Sequence, residues 1–121
     1  MIAFHGTADP VVPYAGGPSH WFERPFPVIP DWISQRAQLN GCESTPLSLP
    51  TQGAITGVQY TDCSQGADVI LYTIEDGGHT WPGGEALPEI LVGSTTQEIS
   101  ATQLMWDFFE RYTLPADPES P

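Results

Sequence analysis

The sequence predicts an α/β fold, and three observations carry that prediction. Two short apolar runs, Ile2-Ala3-Phe4 and Val69-Ile70-Leu71-Tyr72-Thr73-Ile74, read as buried strands. Apolar residues recur at helical spacing between them and again towards the end of the chain. Each run also opens into a turn-rich loop, the position at which α/β proteins gather functional groups. With 121 residues the chain can form one domain over 1–121 with a real core, and is too short for two.

Taken in order, Ile2-Ala3-Phe4 leads into His5-Gly6-Thr7-Ala8-Asp9-Pro10, a strand followed by a loop. From Val11 to Pro30 the density of Pro and Gly rules out a regular element, although Tyr14, Trp21, Phe22 and Phe26 fall within it. Asp31 is placed as the N-cap of a helix carrying Trp32, Ile33, Ala37 and Leu39 on one face, closed by Asn40-Gly41. A Pro- and Ser-containing loop follows. Val58 to Cys63 and Val69 to Ile74 are then read as two strands, the second more deeply buried. Glu75 to Gly84 holds four glycines and a proline, so it is a structured loop. Ile99, Leu104, Met105, Phe108 and Phe109 mark a second helix, running from Ser94 or Thr95 to Tyr112, with a frayed tail over 113–121. A first strand apolar on both faces belongs in the middle of a sheet. Only two other strands are visible, so further strands are expected on its N-terminal side.

Composition narrows the function. Fifteen Asp and Glu face three Arg and no Lys, a net charge of −12 that repels nucleic-acid phosphates and anionic lipid. An uncharged substrate is easier to accommodate than an anionic one. No stretch approaches the roughly 20 apolar residues of a membrane span, and the N-terminus has no signal-peptide pattern. His5, His20 and His79 lack the spacing of metal ligands, and the glycine pairs lack the lysine of a phosphate loop, so neither metal nor cofactor is expected. Cys42 and Cys63 are not a CxxC pair; they form either a disulfide or two buried thiols. A bridge would stabilise the fold by roughly 3 kcal/mol and imply an oxidising compartment.

Asp9 and His79 each follow a strand, flanked by glycines that let the backbone turn sharply. A carboxylate accepting from one imidazole nitrogen fixes the tautomer, and the other nitrogen can then take a proton from a hydroxyl. Acid before histidine is the triad order of α/β hydrolases, in which the serine precedes both. Taken singly, Asp9 could be a turn former before Pro10, and His79 an ordinary loop residue.

His5-Gly6-Thr7-Ala8-Asp9-Pro10-Val11-Val12-Pro13-Tyr14, Asn40-Gly41-Cys42, Gly78-His79-Thr80-Trp81-Pro82-Gly83 and Ile99-Ser100-Ala101-Thr102 with Trp106-Asp107-Phe108-Phe109 together extend the pattern. In these segments the chain resembles the polyhydroxybutyrate depolymerase and feruloyl esterase family, over about 1–112. The resemblance implies the C-terminal part of an α/β-hydrolase sheet, with about three strands and two main helices, the N-terminal strands and nucleophile elbow being absent. It implies Asp9 as triad acid, His79 as general base, a Cys42–Cys63 disulfide, and a secreted parent enzyme cleaving hydroxyalkanoate or plant phenolic esters. Trp81 and Tyr14 are the expected substrate contacts; for Trp81 the alternative is an anchor holding the histidine loop to the core.

The departure from the family is that no Gly-x-Ser-x-Gly word occurs in the chain. Ser19 or a water activated by His79 are the fallback nucleophiles. Two readings follow. In one the chain is the acid-and-base half of a carboxylic ester hydrolase, acting on a small or polymeric ester and completed by an N-terminal half or by homo-oligomerisation. In the other it is a non-catalytic ligand-binding module built on Tyr14, Trp21, Phe22, Phe26 and Trp81, or a truncated remnant of such an esterase.

Overall fold

The computed structural model describes residues 1–113 and has an α/β architecture, with four strands and three helices where about three strands and two main helices were expected. In chain order the elements are β1 (Ile2–Gly6), α1 (Ile29–Leu39), β2 (Leu47–Gln52), β3 (Ile55–Tyr60), β4 (Val69–Ile74), α2 (Glu89–Val92) and α3 (Ala101–Glu110). The strands form one mixed sheet in the order β1-β4-β3-β2. β1 runs parallel to β4, and the two remaining pairs are antiparallel.

The core forms where β4, flanked on both sides, meets α1. Strand residues alternate between faces, so Val69 and Leu71 point the same way. They pack with Ile29, Ile33 and Ala37, which recur every fourth residue along one side of α1, and Tyr60 of β3 joins them. Ile70 and Ile74 are buried on the opposite face of β4, the pattern of a strand covered on both sides. α3 rests against β1.

Several boundaries differ from the expectation for local physical reasons. α1 starts two residues before Asp31: Val28 occupies the N-cap, Pro30 sits in the first turn, and Asp31 lies inside the helix, where its charge complements the N-terminal dipole. Its end is as read. Gly41 has φ +68°, and the amides of Gly41 and Cys42 donate to the carbonyls of Gln38 and Ala37, the double closure that a left-handed glycine permits. β2 was read as loop because it is polar and contains Pro50. It is an exposed edge strand, with an irregularity in register between Leu49 and Gln52 where the missing proline N–H does no harm. β3 begins at Ile55, three residues earlier than expected. α3 is shorter than expected because Ser94 is held in a β-bridge to Gly77; its cap is Ser100, whose side chain accepts from the Gln103 amide.

β1 includes His5 and Gly6, which the sequence assigns to a loop, and among the described residues it lies at an edge of the sheet. β4 already has β3 on its other side, and the additional strand β2 adds to the far side of β3. β1 thus keeps one edge with no strand partner among the described residues, and its first four residues are only half-buried. The tail expected over 113–121 lies, beyond Thr113, outside the described residues.

Cys42 and Cys63 form a disulfide that joins the end of α1 to the segment leaving β3. Backbone bonds from Glu43 to Thr61 and from Ser64 to Gly41 run alongside it, and the Asn40 side-chain amide donates to Ala67. The bridge therefore reinforces a junction that hydrogen bonds already close.

Candidate active site

The loop after β1 folds around its own carboxylate. Asp9 Oδ1 accepts from the amides of Val11 and Val12, each at 2.8 Å, the short turn that an aspartate side chain makes with the backbone following it. Its side chain is only 4% exposed. A buried carboxylate needs donors, and the amides satisfy one oxygen while Oδ2 faces across to the loop after β4.

That second loop approaches β1 closely because both contribute glycine. A Cβ added at Gly6 would lie 2.1 Å from the Gly77 carbonyl oxygen, and one at Gly78 would lie 2.1 Å from that of Val92. The Gly78 amide donates to Ser94 and the His79 amide to Val92, which fix the backbone on either side of the imidazole. His79 Nδ1 then stands 2.9 Å from Asp9 Oδ2. An ionised carboxylate only accepts, so Nδ1 donates and Nε2 keeps a lone pair. The His79 side chain is 48% exposed, and Nε2 has no hydrogen-bond partner among the described residues. Chemically this is an oriented imidazole able to take a proton from a group brought to it.

The pair opens on a cleft of about 360 Å³ lined by Phe4, His5, Gly6, Asp9, Gly78, His79, Thr80, Trp81 and Leu87. Three consecutive residues of β1 line it with four from the loop after β4, which sets the cleft at the C-terminal end of these two paired strands. Trp81 is tied to neighbouring elements and also faces the cleft. Its Nε1 donates to Thr102 Oγ1 at the start of α3, its ring stands 5.8 Å from that of Phe4, and it remains part of the cleft wall. Phe4 stacks in turn on Tyr72, whose phenol is held above its ordinary pKa by burial, the Arg111 guanidinium opposing.

Tyr14 does not line this cleft. It packs against the core, its hydroxyl pairs with Thr73 Oγ1 at 2.9 Å, and its ring lies beside that of His5. Ser19 is also away from the cleft lining; its hydroxyl donates to the Val11 carbonyl at 2.6 Å and accepts from the Trp21 amide. One participant went unnoticed in the sequence. His5 Nε2 lies 2.8 Å from the Val12 carbonyl oxygen and 3.3 Å from Asp9 Oδ2. Its signal was the spacing of four to Asp9, which is hidden once His5 is assigned to a loop instead of the strand.

No family model matches the chain, and no solved structure matches it significantly. Among curated proteins it is similar to one from Nocardia uniformis subsp. tsuyamanensis that bears the name "Putative esterase NocK", with 26% identity over 124 residues. The match takes in 89% of this chain and 36% of the relative, so the chain spans about a third of that protein's length. The comparison supports an esterase-like relationship.

Proposed function

We propose that this chain carries the acid and the histidine of a serine ester hydrolase, Asp9 orienting His79 as general base, within the C-terminal part of an α/β-hydrolase sheet. The observation that carries the reading is the 2.9 Å contact between a buried, amide-held carboxylate and a half-exposed imidazole at a cleft. In the reaction His79 Nε2 takes the proton of the attacking hydroxyl and later returns it to the leaving alcohol, while Asp9 stabilises the imidazolium between the two transfers. The serine and the oxyanion donors come from outside the motifs of this chain. A strand of a longer parent protein, paired on the free edge of β1, would be the element that brings them.

The substrate is an uncharged ester, small or polymeric, of the hydroxyalkanoate or plant phenolic type. This assignment rests on the family resemblance of the Asp9 and His79 segments, and Phe4, Trp81 and Leu87 supply an apolar wall suited to it. Trp81 contacts the substrate, and Tyr14 supports the site from behind through His5. The disulfide supports a secreted parent.

The test is hydrolysis of a short-chain aryl ester by the folded chain, together with its intact mass before and after a fluorophosphonate, in the wild type and in His79→Ala. Turnover or labelling that disappears in His79→Ala supports the reading. Turnover that persists unchanged without His79 overturns it. A folded chain that neither labels nor turns over is the outcome expected where the serine lies outside it, and labelling that depends on His79 would place a nucleophile within the chain itself.

A further inference from the structure

We propose that His5 is a positioning residue for the Asp9–His79 pair, a role that rests on the reading of that pair given above. β1 sets the His5 ring beside the carboxylate with its side chain 15% exposed. Nε2 faces two acceptors, the Val12 carbonyl at 2.8 Å and Asp9 Oδ2 at 3.3 Å. Neither a carbonyl nor a carboxylate can donate, so Nε2 carries the hydrogen and the neutral ring is the Nε2–H tautomer. His79 meets the same Oδ2 through Nδ1 and is the opposite tautomer. One carboxylate oxygen thus faces a different ring nitrogen in each of two histidines.

The consequence is positional. Oδ1 is held by the amides of Val11 and Val12, and the Val12 carbonyl is held by His5, so the turn from Asp9 to Val12 is clamped from both its donor and its acceptor side. Oδ2 then cannot rotate away from His79 without breaking contacts at both oxygens. The clamp is itself backed, because the Tyr14 ring beside His5 is tied to β4 through Thr73. Two residues earlier on the same face of β1, Ala3 packs against the apolar cluster. An imidazole replaces an apolar contact where the strand reaches the carboxylate. Asp9, His79 and Tyr14 are the titratable groups around the His5 ring.

The test is ¹⁵N NMR of the histidine-labelled chain, with the exposed His20 as internal reference. The expected spectrum of the wild type at neutral pH has hydrogen on Nε2 of His5 and on Nδ1 of His79. Replacing the ring while removing its donor, His5→Phe, should loosen the His79 Nδ1–H and speed its exchange with solvent on the order of tenfold, as the loss of about one hydrogen bond from the turn would. His5→Gln, whose amide can reach the same two acceptors, should restore slow exchange. A wild-type His5 with hydrogen on Nδ1, beside a His79 of the expected tautomer, overturns the role of His5 alone. So does a folded His5→Phe with unchanged exchange at His79. A wild-type His79 with hydrogen on Nε2 overturns the pairing itself and the role of His5 with it. The wild-type spectrum decides the matter even if the Phe variant does not fold.

Discussion

Asp9 has a structural task and a chemical one, and the two separate by substitution. Asp9→Ala leaves the Val11 and Val12 amides without an acceptor in a partly buried turn, which should cost about 2 kcal/mol in urea unfolding. Asp9→Asn keeps an oxygen for those amides but turns an N–H₂ towards His79, so stability should fall by under about 1 kcal/mol. Any His79-dependent ester turnover should nevertheless drop by roughly 10⁴-fold, because the imidazole is then held in the wrong tautomer. Equal loss of stability in the two variants would contradict this division. Gly78 makes a second prediction at the same scale. A methyl group there meets the Val92 carbonyl backbone, which cannot step aside as a side-chain end can. Gly78→Ala should therefore destabilise the chain by about 2 kcal/mol and displace His79, both visible in one folded-state NMR spectrum and one denaturation curve. Asp9 and His79 were legible in the sequence because glycines and strand ends frame them. His5 was not, because its spacing of four to Asp9 carries meaning only once the strand is seen to include His5 and the loop to close on the carboxylate.

Among the elements, those legible in sequence are the ones whose own residues determine them. β4 is a continuous apolar run, and the Asn40-Gly41 stop closes α1 by local backbone geometry. β2 is defined instead by its neighbour: pairing with β3 makes a strand of a polar segment containing a proline. The start of α3 is likewise a competition, in which the bridge from Ser94 to Gly77 ties the segment before Ser100 to the histidine loop. Ser100 then supplies the cap, and Ser100→Ala should cost about 1 kcal/mol in thermal or urea unfolding. Thr102, in the same first turn, receives the Trp81 indole, so fraying there should also redden tryptophan emission in the folded state. An unchanged emission maximum would separate the cap from the cleft wall.

At the scale of the whole molecule, the disulfide closes a loop between residues 21 apart, and the double variant Cys42→Ser with Cys63→Ser should lose about 3 kcal/mol. Because hydrogen bonds flank the bridge, that loss should leave the secondary structure intact by circular dichroism at room temperature. The sheet order was the least legible feature. A strand apolar on both faces reads as flanked by others, and among the described residues β1 is paired on one side, since strand order depends on which partners are present and not on the strand's own pattern. That open edge also sits in a chain with a net charge of −12. Backbone groups without a strand partner among the described residues favour association, while like charges hold molecules apart. Salt shortens the reach of that repulsion, to about 8 Å at physiological ionic strength, and leaves backbone hydrogen bonding nearly untouched. The colloidal behaviour of the chain should accordingly run opposite to ordinary salting-in: dispersed in dilute buffer, and increasingly light-scattering as sodium chloride is added.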